Sequence, residues 1–476
     1  MSAGRVTSRD LTEHYLRRVA LVNPLLHAVI ALSPLALAHA DDSDTRRRAG
    51  RLLGPLDGIP VLLKDNIDSA DQPTTAGSLA LAGHQPVRDA FLVQQLRAAG
   101  AVLLGKANLS EWANFRSITS TSGWSAVGGQ TSNPYVLGYN PSGSSSGSAV
   151  AVAARLAAVA IGTETNGSIV SPAGTCGVVG LKPTLGLVSR RGVVPISPLQ
   201  DTPGPLTVSV ADAALTLAAI AGVDPEDAAT SRAPLDLTSA MDRGALAGTR
   251  LGVWRAGVVG VSAGADACFE QAVAALRSLG ADVVDPTDLP DLDDVDEQSW
   301  SALQQEFKVA LNGYLGATSA AHPSTLAEVI AFNNDHREQE LLHFGQETFV
   351  AAQATTGDLT AGGYLRARQR ATDDAQHAID DVLQEHGLAA IIAPTNAPAT
   401  RIDYEHGNET GGIGSSTPAA VAGYPMITVP MGSQRDLPMG LSFIGGRWCD
   451  AELLRYAYAF EQATHARRAP RLLTRP

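Results

Sequence analysis

The chain of 476 residues has little cysteine, little charge and no long apolar run. Its three cysteines, Cys176, Cys268 and Cys449, stand far apart. They offer neither a disulfide framework nor the paired spacing of a zinc site, and they read as packed thiols. Nowhere do about 20 apolar residues follow one another without interruption, so no membrane span is expected. Positive charge is in deficit. A net charge of −13 argues against the basic footprint of a nucleic-acid binder. The acidic run Asp285–Glu297 lacks the glycine and terminal glutamate of a calcium loop and reads as a solvated connection. No internal repeat appears, and no linker cuts the chain in two.

Small residues are gathered in one stretch, from Gly143 to Gly186. It opens on a Gly/Ser turn and continues through small apolar residues that predict a buried helix over Ser148–Ala158. A second Gly/Ser turn follows at Gly162–Ser168. Small side chains let backbones approach each other and a ligand closely. Two such turns joined by one helix bring two serines toward one point. Gly143-Ser144-Ser145-Ser146-Gly147 also fits G-x-S-x-G, the nucleophile elbow of α/β-hydrolases, which would give Ser145 the reacting hydroxyl. That elbow needs a buried strand directly before it and an acid and a histidine after it. Here residues 133–142 read as loop, and no later histidine sits in a motif.

Upstream, Ile59–Leu63 predicts an apolar strand that delivers Lys64-Asp65-Asn66. Together with the Gly143–Gly186 block and the run GIPVLLKDNID, this resembles the amidase signature, the motif of a large family of serine hydrolases. The resemblance implies a Ser–Ser–Lys triad without histidine or aspartate. It puts Ser168 in the nucleophile's place, Ser144 in that of a bridging serine with a cis peptide bond, and Lys64 in that of the base. The chemistry suits these groups. A serine hydroxyl is a weak nucleophile until a base accepts its proton. A lysine can be that base only when neutral, which calls for burial or cationic neighbours. Backbone N–H groups of Thr165, Asn166, Gly167 and Ser168 would form the oxyanion hole. The family more often has glycine where Asn166 stands, and usually an arginine where Val208 stands.

The polar, aromatic stretch Ser110–Tyr139 reads as a loop lining a cleft, with Phe115, Ser122, Gly123 and Trp124 as candidate substrate-binding residues. This stretch, with GTETNGS further on, resembles the bacterial peptide amidases more than other branches of the family, and that likeness implies release of ammonia from C-terminal carboxamides. Glu164 reads as a hydrogen-bonding brace of the nucleophile loop, Lys106 as structural, and Lys182 as a charge tied to loop carbonyls. Asp201–Pro205 resembles a turn that the family places near the site.

Helix Asp89–Ala99 and strand Ala101–Leu104 complete a βαβ unit with Ile59–Leu63. Leu251–Trp254, Ala265–Ser278 and Asp282–Val284 form a second, and such units imply parallel pairing. The expected fold is therefore α/β: a mixed, largely parallel central sheet covered by helices on both faces, in one domain over 1–476. The signature core lies at about 55–210, and a helical lid or substrate wall at about 298–385. Gly407–Ser416 is Gly/Ser-rich. At the N-terminus, Arg17-Arg18 and Ala38-His39-Ala40 resemble a twin-arginine leader. The run is interrupted by Asn23, Pro24 and Pro34, and the residues read better as a helix from Ser8 to about Val19, with Ser8 as N-cap, then a strand Ala28–Leu32. The cytoplasm is the expected location.

The expected function is hydrolysis of carboxamides through an acyl-enzyme, with C-terminal peptide amides as substrates and esters or aryl amides as side substrates. The resemblance also admits the amidase-like component of a tRNA-dependent amidotransferase complex, which would need partner subunits. No cofactor and no metal are expected. The expected partners are a small-molecule or peptide amide, with neither nucleic acid nor membrane, on a monomer or homodimer.

Overall fold

The run Pro60–Lys64 (β2) is buried at every position, and its side chains alternate between two cores. Val61 and Leu63 enter one hydrophobic cluster and Leu62 the other. A strand covered on both faces needs such a continuous apolar run. The structure, a computed structural model, describes residues 1, 4–230, 236–237, 241–318, 322–408 and 414–474; part of the Gly/Ser-rich run Gly407–Ser416 lies outside these.

In chain order the N-terminal part holds α1 (Ser8–Leu26), β1 (Val29–Leu32), α2 (Ala36–Arg48), β2, α3 (Phe91–Ala98) and β3 (Val102–Ala107). A short ribbon, β4 (Trp124–Ser125) and β5 (Gly129–Gln130), precedes α4 (Ser146–Ala153), β6 (Val159–Glu164), α5 (Val170–Thr175), β7 (Val179–Lys182), β8 (Thr202–Thr207) and α6 (Val210–Ile220). Next come β9 (Arg250–Val253), α7 (Ala263–Ser278), β10 (Asp282–Val284) and the helical stretch α8 (Asp293–Gly316), α9 (Leu326–Asp335), α10 (Arg337–Glu340), α11 (Glu347–Ala354) and α12 (Gly362–Glu385). The chain closes with β11 (Ala390–Pro394), α13 (Thr417–Ala422), β12 (Met426–Gln434), β13 (Leu437–Ile444) and α14 (Asp450–Thr464).

Among the described residues, eleven strands form one sheet in the order β1-β3-β2-β6-β8-β7-β12-β13-β11-β9-β10. The α/β class is as expected. The βαβ units give the parallel pairs β3-β2-β6 and β11-β9-β10. The other six neighbouring pairs are antiparallel, a larger share than the βαβ units alone imply. Helices α1, α2, α4 and α5 share one core cluster, and α3, α6, α7, α12 and α14 share the other.

Several boundaries differ from the sequence reading, each for a local reason. The cap of α1 is Thr7, not Ser8: the Thr7 hydroxyl accepts from the Asp10 amide while the Asp10 carboxylate accepts from the Thr7 amide. The helix runs on to Leu26 because Val19 and Leu26 are both core residues. Its Arg18 donates to the carbonyls of Ala154 and Arg155, so the twin-arginine-like stretch is packed onto the signature helix. Helix α4 stops at Ala153 rather than Ala158, because Arg155 takes a left-handed conformation at φ 57° and the Leu156 amide returns to the Ala151 carbonyl. Asp201–Pro205 is no turn: from Thr202 it is strand β8. Pro203 and Pro205 are two apart, so their missing N–H groups fall on one edge of the strand, and β7 meets β8 only at 206–207. The acidic run is a connection only as far as Leu292; Asp293, Asp294 and Asp296 form the first turn of α8, where carboxylates favour the helix dipole.

No helix among the described residues is long and apolar enough to cross a membrane. Cys176 and Cys268 are buried free thiols, and burial pushes the Cys176 thiol up.

Candidate active site

The chain has four lysines, and three of them, Lys64, Lys106 and Lys182, are fully buried. Lys64 is the last residue of β2, so the register of a core strand fixes where its side chain starts. Its ammonium nitrogen donates to the Ser144 hydroxyl at 2.7 Å, to the Thr163 hydroxyl at 2.9 Å and to the Thr163 carbonyl at 3.2 Å. Asn66 also donates to the Thr163 hydroxyl, at 3.0 Å. Burial lowers the Lys64 pKa from 10.5 to about 7, against the opposing pull of Asp201 and Glu164. A lysine near neutrality and hydrogen-bonded to a serine can exchange protons with it.

Ser144 is wholly buried, and the Gly143–Ser144 peptide is cis. The amide of Ser145 donates to the Ser168 carbonyl at 3.1 Å, joining the turn that carries Ser144 to the turn that carries Ser168. Ser168 itself is 9% exposed. Among the described residues its hydroxyl makes no hydrogen bond, so Ser144 and Ser168 are neighbours through the backbone while Lys64 and Ser144 are joined through their side chains.

The turn before Ser168 is held from several sides. Glu164 accepts from the amides of Ile169 and Val170, at 2.7 and 3.1 Å, which is the brace read from sequence. The Thr165 hydroxyl donates to Asp201, whose pKa burial raises to about 6. Gly167 has φ 78°, and a Cβ there would lie 2.9 Å from the Ser416 hydroxyl. Asn166 turns its side chain outward: it donates to the Thr417 hydroxyl at 3.0 Å and accepts from the Ser416 hydroxyl at 2.7 Å. Among the described residues, the amide N–H groups of Asn166, Gly167 and Ser168 have no protein acceptor. These are donors available to a ligand oxygen.

A cavity of about 550 Å³ opens against Gly143 and Gly167 and is lined mainly by polar side chains, among them Asn114, Ser122, Asn140, Asn396, Asn408 and Thr417. Asp296 is its one charged lining residue among those described. Of the four substrate-binding candidates, Ser122 lines it, accepting from both Asn114 and Asn408. Gly123 sits behind, its amide on the Ser110 hydroxyl. Phe115 and Trp124 do not line the cavity. Phe115, 5% exposed, packs on Phe307 and Trp300, and Trp124, 4% exposed, packs on His343 and Phe344 beneath the Arg116 guanidinium. Local packing claims both rings. Besides Asn166, four asparagines of the wall, Asn114, Asn140, Asn396 and Asn408, come from separate segments and carry no pattern in any one of them, so the sequence alone does not single them out.

The G-x-S-x-G serine is placed elsewhere. Ser145 is fully buried, donating to the Thr163 carbonyl and accepting from the Thr163 amide. Lys106 is spent on the Ile67 carbonyl and the Thr74 hydroxyl. Lys182 donates to the Pro183 carbonyl, with its pKa lowered to about 8 by burial. Val208 packs against the apolar core.

A second cavity, of about 260 Å³, lies under the C-terminal tail beside Tyr135 and Arg467, and among the described residues shares no lining residue with the first.

The family model described as Amidase matches residues 10–454. A probable amidase of Arabidopsis thaliana is 42% identical over 483 residues, covering 98% of this chain and 89% of that protein. A glutamyl-tRNA(Gln) amidotransferase chain of Chloroflexus aurantiacus is 37% identical, over 99% of this chain and 97% of that one. Among solved structures, the native peptide amidase from Stenotrophomonas maltophilia is similar with a TM-score of 0.94 at 51% identity, over 99% of this chain and 96% of that one.

Proposed function

The chain belongs to the amidase family and is an amide-hydrolysing enzyme, and we propose that Ser168 is its nucleophile, Ser144 its proton relay and Lys64 its base, acting on the C-terminal carboxamides of peptides. The observation that carries the reading is the buried contact of 2.7 Å between Lys64 and Ser144, with the lysine brought to about 7. Neutral Lys64 takes a proton from Ser144, which takes one from Ser168 as its oxygen attacks the carboxamide carbon. The amides of residues 165–168 receive the oxyanion. The relay returns a proton to the departing nitrogen, ammonia leaves, and water attacks the acyl-enzyme by the same path.

The substrate class rests on the cavity and on the likeness to the Stenotrophomonas peptide amidase. Asparagine and serine side chains suit the N–H and C=O groups of a peptide. No lysine, arginine or histidine among the described residues lines the wall to receive a carboxylate, which disfavours free glutamine. The amidotransferase reading requires partner subunits for activity.

Ammonia release decides between these. The purified chain should hydrolyse a C-terminally amidated dipeptide faster than benzamide, propionamide or glutamine. Ser168→Ala and Lys64→Ala should be inactive, and Ser145→Ala should retain activity. No release from any amide by the chain alone would contradict the reading.

A further inference from the structure

The turn that would bind the oxyanion is tied to the helical stretch by a buried polar chain that begins at Gln200. The Gln200 side-chain nitrogen donates to the Thr165 carbonyl at 3.3 Å. Its oxygen accepts from Arg368 at 2.6 Å and from the Ser299 hydroxyl at 3.0 Å. Two donors on the oxygen leave the amide one orientation, with the NH2 group facing Thr165. Arg368, on α12, is itself fixed by Glu306 on α8, to which it donates from two nitrogens at 2.7 and 2.6 Å. Tyr364 donates to the same carboxylate at 2.8 Å, and so does Ser197. Gln200, Glu306 and Arg368 are all buried.

A peptide unit is planar, and in a trans peptide the C=O and the following N–H point in opposite directions. Holding the Thr165 carbonyl on one side therefore aims the Asn166 N–H to the other side, where it has no protein acceptor among the described residues. We infer that Gln200 is a positioning residue for the oxyanion site: it sets the plane of the 165–166 peptide, and the Arg368–Glu306 pair holds Gln200 in register. The inference rests on the proposed roles of Ser168 and of the amides before it. It gives the helices α8 and α12, remote in sequence from the signature, a direct bearing on the chemical step. A donor aimed at the oxyanion acts in the transition state and little in substrate binding, so its loss falls on kcat.

The experiment uses Gln200→Leu, which removes the donor, and Gln200→Glu, which keeps the shape and the partner for Arg368 but turns an acceptor toward the Thr165 carbonyl. Expected is a fall in kcat of roughly tenfold to a hundredfold for each, with KM unchanged within about twofold. A peptide aldehyde, which forms a tetrahedral adduct with a serine, should lose affinity by the same factor, while a non-reactive peptide acid should bind as before. Arg368→Lys should fall between wild type and Gln200→Leu. Normal kcat and normal aldehyde affinity in a folded Gln200→Leu or Gln200→Glu, alongside an inactive Ser168→Ala, would overturn this inference alone. An active Ser168→Ala would overturn it together with the reading on which it rests. A drop in thermal stability with both kinetic readouts unchanged would leave Gln200 a structural residue and contradict the inference.

Discussion

The Lys64 side-chain nitrogen lies 2.7 Å from the Ser144 hydroxyl oxygen, and both side chains are fully buried. Burial brings the lysine to about 7 from its ordinary 10.5. As the proposed base, Lys64 must be neutral in the free enzyme, so kcat/KM should rise with pH from about 6 and level off above about 8. An N-acetylated peptide amide is the substrate to use, because it does not itself titrate there. A flat profile from pH 6 to 9 would contradict Lys64 as the titrating base. The same shift has a stability counterpart. The unfolded chain holds the proton more tightly than the folded one, so the cost of burying Lys64 is full below about pH 7 and fades as the pH rises toward 10.5. Lys64→Met should therefore raise Tm more at pH 6 than at pH 9.

Gly167→Ala tests the turn before Ser168, the proposed nucleophile. The backbone there is left-handed, and the added methyl would press on the Ser416 hydroxyl. The strain alone costs about 1–2 kcal/mol, and the shift moves the neighbouring amides. Activity should fall more than tenfold with the circular dichroism spectrum unchanged, as paired kinetic and spectroscopic measurements would show.

Asn166→Gly should be mild. It removes the side-chain bonds to Ser416 and Thr417, which are exposed, and keeps the backbone N–H. The expected stability loss is about 1 kcal/mol, read by denaturant titration, with kcat within about tenfold of wild type. A loss above a hundredfold would mean that the Asn166 side chain has a part in the chemistry.

Ser145→Ala separates two serines adjacent in sequence. Ser145 is committed to Thr163, whose own side chain holds Lys64. The variant should lose about 1–3 kcal/mol of stability and keep measurable turnover. A dead but folded Ser145→Ala would reinstate the elbow.

Much of the candidate site was legible because it is written in contiguous residues. The run Ile59–Leu63 announces an apolar strand and delivers Lys64, and the glycines and serines around Ser144 and Ser168 announce two close turns. Glu164 and Lys182 behave as their neighbourhoods suggested. What was not legible depends on distant partners. Phe115 and Trp124 look like cleft residues until Phe307, Phe344 and Arg116 fold over them. Pro203 and Pro205 look like a turn until the neighbouring strands show which edge goes unpaired. The end of α4 carries no glycine, because Arg155 takes the left-handed conformation in its place. The chain from Thr165 through Gln200 to Glu306 and Arg368 joins residues up to 203 positions apart, as 368 minus 165, and no local pattern encodes it.

The site of covalent labelling tests the proposed nucleophile directly. A slowly turned over peptide ester or a serine-reactive phosphonate would be incubated with the enzyme, quenched and read by peptide mass mapping. One label is expected, on Ser168, absent in Ser168→Ala and much slowed in Lys64→Ala. A label on Ser145, or undiminished labelling in Ser168→Ala, would contradict it.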